Sequence, residues 1–552
     1  MSVVRTLIAS ALGVTLAATA HADESAVDSA RLAADIRVLA SDAFEGRSPG
    51  TVGEEKTLGW IIGRMIEVGL EPAGDVVDGQ RTWMQDVPLA RFVIDGDVAA
   101  RFDVGGERIA LVQGEHVAIR PTMTGADRVE IVDAPVVFAG YGVRAPERDW
   151  DDFAGVDVKG KVVLVLVNDP DFESGTGDFG GKAMTYYGRW TYKYEEAARL
   201  GAAGLFVIHE DAPAAYGWLT VKNSNTVETF DIARDEAAAA HPALEAWIRR
   251  DVAADVLSRA GYDFEAVKKQ AAVRGFRAFE LPGVRFSTAF DVGRTRIVSK
   301  NVAGVLPGTT RSGETLVYTA HWDHLGVGVP DARGDTIYNG AVDNASGVAA
   351  LLELARRHQA APRTARSILF LALTAEERGL LGSEYYAANP LYPLETTVAN
   401  VNIDGMGMAG PAHDFGTSGD GHVSLQDDLI AVLRARGRTF TADARPEAGL
   451  FFRSDHFPLA KRGVPAISVR SGQDLLDGGA EAGKAAVDAY VRDRYHQPAD
   501  EWSDDWDLTG LAHDIDVVHQ LGHDFATSTR WPEWQSGSEF KAIRDASAAT
   551  RR

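Results

Sequence analysis

The residues able to do chemistry in this chain follow its most apolar segments. His321-Trp322-Asp323-His324 comes directly after the apolar run 316–319, Thr374-Ala375-Glu376-Glu377 after 368–373, and Asp404 after 398–403. Two further candidates stand in loop-like stretches: Asp343 in Gly340-Ala341-Val342-Asp343-Asn344-Ala345-Ser346-Gly347, and His496 in Tyr495-His496-Gln497-Pro498-Ala499-Asp500. Cysteine is absent, which excludes disulfides, thiolate metal sites, iron–sulfur clusters and cysteine nucleophiles. Imidazole and carboxylate donors without sulfur suit a hydrolytic zinc centre. Three protein ligands per ion with one carboxylate shared leave room for a bridging water. Two ions about 3.5–4 Å apart can then polarise a carbonyl and acidify that water together. Taken singly, each residue has an ordinary reading: a strand-end Asp caps a helix, and a lone His is a satisfied core or surface group. Five of them after successive strands of one sheet favour the joint reading.

Three other motifs read as structure. His519 and His523 are four apart on a helical stretch, but the intervening Gln520 lacks the general-base carboxylate of a zinc-protease helix, so they read as ordinary helix histidines. Ser346 has no G-x-S-x-G around it and reads as helix-start chemistry. Ser454-Asp455-His456 are adjacent in the chain and cannot converge as a catalytic triad.

Ligands of open α/β sheets gather outside the carboxyl ends of the strands, so a sheet must position these side chains. The runs 316–319, 368–373, 398–403 and 466–469 are continuous and apolar, and they alternate with helical stretches such as 347–358. That rhythm predicts an α/β fold over 291–531, a mixed and mostly parallel sheet flanked by helices. Helical spacing over 31–39 and 57–70, with Leu58, Ile61, Ile62, Met65, Ile66 and Leu70 on one side, predicts two helices within 23–134. In the same stretch, 81–121 reads as short alternating strands. A β-rich inserted module is expected over 135–290, with strands at 162–167 and 205–209 around a helix at 194–201. The last residues, 532–552, read as a polar, loose tail.

The 552 residues are 45% hydrophobic and 24% charged, an ordinary globular balance. Lys and Arg number 56 against 79 Asp and Glu, a net charge of −23. No basic excess is available to neutralise phosphates, which argues against a nucleic-acid partner. Residues 1–22 combine a basic start, an apolar stretch and Ala20-His21-Ala22, the pattern of a secretory signal peptide cleaved after Ala22. A periplasmic or secreted location is therefore expected. No later run approaches the roughly twenty apolar residues of a membrane span.

These motifs resemble metallopeptidase family twenty-eight, the co-catalytic two-zinc exopeptidases. The resemblance is carried by the H-x-D at His321, the G-x-x-D-N-x-S-G around Asp343, the adjacent Glu376 and Glu377, the Asp404-Gly405 pair and the late Tyr495-His496. It implies a zinc exopeptidase fold in which 23–134 is the N-terminal part of the domain at 291–531, together with two zinc ions per chain and peptide substrates. His321, Asp343 and Asp404 would hold one ion and Asp343, Glu377 and His496 the other. Glu376 would be the general base, Asp323 the carboxylate orienting His321, and Phe451, Phe452 and His456 walls of the substrate pocket. A cis peptide between Asp343 and Asn344 is also implied. The module at 135–290 resembles a protease-associated (PA) domain through Gly140-Tyr141-Gly142, Asp157-Val158-Lys159-Gly160-Lys161 and Ala202-Ala203-Gly204-Leu205. The resemblance implies an aminopeptidase first. A carboxypeptidase or glutaminyl cyclase of the same fold, or a receptor-like relative without catalysis, are the alternatives.

Overall fold

The protein is described by a computed structural model over residues 27–235, 239–419 and 422–551. The signal peptide expected at 1–22 lies outside the described residues. The elements that matter here are, in chain order, α1 (Ser29–Leu39), α2 (Val52–Val68), β1 (Met84–Val104), β2 (Arg128–Phe138), β3 (Val162–Leu166), α3 (Trp190–Arg199), β4 (Gly204–His209), β5 (Leu244–Arg249) and β6 (Phe279–Leu306). They continue with β7 (Arg311–His321), α4 (Ser346–Ala360), β8 (Arg366–Leu373), β9 (Thr397–Ile403), β10 (Ala466–Ser471) and α5 (Thr509–Thr527).

One sheet carries both halves of the molecule, in the order β10–β9–β7–β8–β6–β2–β3–β4–β5. In the first half β7 runs parallel to β8 and β9, and β9 parallel to β10, while β6 pairs β8 antiparallel. This is the mixed, mostly parallel sheet that the apolar runs predict. β8 and β9 are buried along their whole length, as strands covered on both faces must be. Register then decides the chemistry. His321 lies opposite Leu373, and Thr319 opposite Asn402, so β7, β8 and β9 all end at one edge. The residues that follow them emerge side by side.

Helices α1, α2, α4 and α5 close this half, contributing Leu32, Ile36, Ile61, Met65, Leu351, Leu354, Ile515 and Leu521 to one core. Glycine closes α2: Gly69 takes φ +85°, returning its N–H to the last turn. Among the described residues no helix is long and apolar enough to cross a membrane.

The second half differs from the sequence expectation in extent. Its core gathers Ala90, Phe92, Phe102, Ile119, Phe138, Phe206, Phe286 and Val292, so the packing unit begins well before Pro135. The stretch read as short alternating strands is mostly one 21-residue strand, β1. It stays extended because β6 pairs with it almost throughout, from Val284 opposite Val104 to Val302 opposite Met84. The 28-residue β6 also crosses the expected boundary at 290, pairing β2 at one end and β8 at the other. The tail is not loose: Trp534 and Phe540 are buried in the first core, and the Trp534 indole donates to the Gly463 carbonyl at 2.9 Å. Two aromatic residues in a short polar stretch were enough to dock it.

Candidate metal centre

Asp343 sits in the turn that starts α4, where the backbone leaves helical geometry at Asp343 and Asn344 and the peptide bond between them is cis. Gly340 enters this turn at φ +58°, and a Cβ there would lie 2.2 Å from the Asp343 carbonyl oxygen and 2.5 Å from the His324 ring. Only glycine fits. Ser346 is fully buried and donates its hydroxyl to the Val342 carbonyl at 2.7 Å; it does not cap the helix, whose first turn has no side-chain cap.

The five expected ligands converge. His321 Nε2 lies 3.2 Å from Asp343 Oδ1 and 3.2 Å from Asp404 Oδ1. His496 Nε2 lies 3.2 Å from Asp343 Oδ2 and 3.1 Å from Glu377 Oε2. Asp343 thus gives one oxygen to each group. Zinc bonds of about 2.0–2.1 Å hold tetrahedral ligand atoms about 3.3–3.4 Å apart. The observed separations fit a cation at the centre of each group, so the donor set and the geometry both suit a pair of zinc-like ions. Asp404 and His496 keep 22% and 37% of their side chains exposed, so the centre opens to solvent on their side.

Without a cation the charges lean on one another. Burial disfavours the His321 imidazolium, but Glu376 and Asp404 hold it well above the ordinary histidine range. His496 is likewise raised to about 10, burial being outweighed by Glu377 and Asp343. Asp343 and Glu377 resist burial through these histidines and stay well below the usual carboxylate range. Glu376 goes the other way: burial, with Asp404 and Glu377 near, raises it well above.

The supporting contacts were only partly foreseen. Asp323 does orient His321, but through its backbone: the carbonyl faces His321 Nδ1 at 3.1 Å, while the nearest carboxylate oxygen stands at 3.8 Å. That carboxylate instead accepts the Glu376 N–H at 3.0 Å, fixing the turn that separates Glu376 from Glu377. His324, quoted in the sequence without a role, places Nδ1 2.6 Å from Glu377 Oε1, and one of its ring nitrogens groups with Asp343 and Glu377 within 4.8 Å. Since Glu377 Oε2 already faces His496, His324 takes the outer oxygen and holds the carboxylate in place. Asp500 accepts the Val342 and Asp343 N–H groups at 3.1 Å each. Arg47, fully buried, donates to the carbonyls of Trp322, Leu39, Asn339 and Gly340 at 2.6–2.9 Å, tying the N-terminal turn to both ligand loops.

The pocket reading of the 451–456 segment does not hold. Phe451 and Phe452 are core residues, with Phe451 against Trp534 and Phe540 of the docked tail. His456 is fully buried against the Phe451 ring, 4.7 Å between centroids. The segment serves the centre through Ser454, whose hydroxyl donates to Asp404 Oδ2 at 2.6 Å and accepts from Asn402. Thr319 in turn donates to Asn402, completing a hydrogen-bonded floor under Asp404. A polar residue beside a His is the only sequence signal that pointed at Ser454.

The α/β sheet thus ends in two histidine–carboxylate groups around one shared Asp. Residues 301–521 match Peptidase family M28, so this stretch is an M28 peptidase domain. Among curated proteins the chain is similar to aminopeptidase NAALADL1 of Mus musculus, 35% identical over 112 residues, 19% of this chain and 13% of that protein. It is also similar to aminopeptidase YwaD of Bacillus subtilis, 34% identical over 182 residues, 32% of this chain and 36% of that one. These matches therefore span little more than a third of the relatives' length at most. Among solved structures, an aminopeptidase from Aneurinibacillus sp. strain AM-1 aligns over 90% of this chain and 94% of its own at 19% identity and a TM-score of 0.48.

Proposed function

We propose that the protein is a zinc-dependent aminopeptidase that hydrolyses the N-terminal peptide bond of peptides. The observation that carries this reading is Asp343, whose two oxygens face two separate histidine–carboxylate groups. His321 and Asp404 would complete one zinc site, and His496 and Glu377 the other. Bound there, two zinc ions would supply Lewis-acid polarisation of the scissile carbonyl and lower the pKa of a shared water. The chain's own residues do the rest. Glu376 accepts the proton of the attacking water and passes it to the leaving amine, a role typically worth about 10²–10⁴ in rate. Asp323 aims Glu376 through its N–H, and Ser454 keeps Asp404 from turning away from His321. The leader-like N terminus supports export to the periplasm or beyond. The PA-like half touches this domain where Tyr186 packs on Phe457 at 5.1 Å and Glu195 pairs with Lys461 at 2.9 Å. It supplies none of the ligands named here, and we assign it to limiting access for long peptides.

The test is hydrolysis of peptide panels with free and acetylated N termini, with zinc measured in parallel. Release of N-terminal residues only from free amines, lost together with zinc in Asp343→Asn, supports the reading. Cleavage from the carboxyl end, or pyroglutamate formation from N-terminal glutamine, would replace it with the carboxypeptidase or the cyclase.

A further inference from the structure

A second cluster of ring nitrogens lies away from the acid-lined centre. His519 and His523 occupy consecutive turns of α5, and α4 packs against them with His358 in its last turn. The ring centroids are 4.3 Å apart for His358 and His519, 6.2 Å for His358 and His523, and 5.8 Å for His519 and His523. One ring nitrogen from each lies within 4.8 Å of the other two. His358 and His519 are buried, at 2% and 9% exposure, while His523 reaches the surface in part.

Three ring nitrogens of this cluster have nothing to bind. His358 Nδ1, His519 Nε2 and His523 Nδ1 are all buried without a hydrogen-bond partner. A buried polar group left unpaired is costly, and three in one place call for a common partner. The tautomer of His358 is arranged for one. Tyr318 donates its hydroxyl to the Val518 carbonyl at 3.3 Å and stands 3.0 Å from His358 Nε2. A hydroxyl that donates to Val518 accepts from Nε2–H, and the lone pair of His358 then lies on the unpaired Nδ1. A hydrogen bond on the far nitrogen is what orients a metal-bound imidazole.

We propose that His358, His519 and His523 form a third transition-metal site, a structural one, that fastens α4 to α5. Three neutral nitrogens without a carboxylate suit Zn²⁺, Ni²⁺ or Cu²⁺ and disfavour Ca²⁺ and Mg²⁺. Drawing ligand atoms from at most 4.8 Å to the roughly 3.3–3.4 Å of a tetrahedral zinc site needs ring movements of about 1.5 Å or less. A water on the side of His523 would be the fourth ligand. Arg357 and Arg436 are cations that act on the cluster, and Asp516 pairs with Arg357 at 2.9 Å. The site is separate from the acid cluster. Ser346, beside Asp343, and His358 are about 18 Å apart along α4 at 1.5 Å per residue, too far to share an ion. The metal would anchor the far end of the helix that begins at the shared carboxylate.

The experiment uses the full-length chain without a histidine tag, stripped by chelation, reloaded with zinc and desalted. Zinc per chain and the zinc-induced rise in melting temperature are read for wild type, His523→Gln, His519→Gln, Asp343→Asn and the Asp343→Asn/His523→Gln pair. Either histidine variant is expected to hold one zinc fewer than wild type and to keep peptide hydrolysis within about twofold. Asp343→Asn should keep one zinc, which disappears in the double variant. Two histidine substitutions are used so that misfolding of one does not decide the matter. Equal zinc in wild type and a folded histidine variant, or a double variant that keeps the zinc of Asp343→Asn, would overturn the proposal. Undiminished zinc in Asp343→Asn would instead count against the co-catalytic centre, so the two readings fail separately.

Discussion

Each half of the molecule buries a knot of charged groups under the end of a parallel strand, and the two knots are built on different terms. In the second half, Lys193 of α3 donates to the Asn168 carbonyl at 2.9 Å and to the Tyr141 carbonyl. Asp169 accepts from the Thr185 N–H and hydroxyl at 2.9 Å each, and Asp152 from the Val143 N–H at 2.9 Å and the Trp150 indole at 2.8 Å. Donors match acceptors, and the chain needs nothing from outside. In the M28 half, Asp343, Asp404 and Glu377 turn acceptor oxygens toward one another with only imidazoles between them, and the mouth is partly open to solvent. Both knots are buried, so burial alone does not mark a functional site. A deficit of donors does.

That contrast can be broken by substitution, and the largest effect is expected at Glu376. Glu376→Gln should lower kcat by about 10²–10⁴ with zinc content and melting temperature near wild type. Glu377→Gln should lose zinc. If Glu376→Gln kept its activity, or lost the metal, base and ligand would be wrongly divided within the pair.

Lys193→Met should behave oppositely, destabilising without touching the chemistry. Losing the ammonium strands the buried carbonyls of Tyr141 and Asn168, at about 1–3 kcal/mol for each buried group left unpaired. Burial has already raised Asp152 to about 7 and Asp169 to about 6, so both can take up protons. Denaturant unfolding should show a loss of about 3 kcal/mol, with metal stoichiometry unchanged. A drop in zinc would mean that the two halves are coupled more tightly than their contacts indicate.

Asp500→Asn tests the clamp on the shared carboxylate. It leaves one acceptor oxygen for two backbone donors, and a fall of about 10–100-fold in zinc affinity is expected, as for other groups that orient ligands. Unchanged affinity would show that the turn is held without Asp500.

The smallest effect concerns pH. His241 of the second half sits between Glu245 at 2.8 Å and Asp231 at 3.0 Å. Burial opposes its charge, but these carboxylates raise it to about 9. Its contribution is present in full below the ordinary histidine value near 6.5 and fades as pH rises through about 9. The stability difference between wild type and His241→Gln should be on the order of 2 kcal/mol at pH 6 and near zero at pH 10. A difference independent of pH would show that His241 acts by packing.

The sequence by itself determined the parallel core of the M28 half and picked out five residues that the fold brings together as expected ligands. Unbroken apolar strands can only be buried between helices, and the polar residues that follow them must then emerge at one edge. Hydrophobic pattern and strand order are local properties, readable residue by residue. The extent of the second half was not local. Nothing in 84–104 announces a single long strand; pairing with β6, nearly two hundred residues later, keeps it extended. Partner choice escaped in the same way. Arg47 could have been a surface cation, Asp500 a loop acid and Ser454 part of a triplet. The Phe451 pocket wall became core because Trp534 and Phe540 came back to cover it. The three histidines make the point most sharply. Two lie one helical turn apart and look ordinary alone, and only the packing of α4 on α5 brings His358 to them from more than 150 residues away. A side chain's donors and acceptors are fixed by its type, but whether they are matched depends on which distant segment packs against it, and that is settled only when the tertiary structure closes.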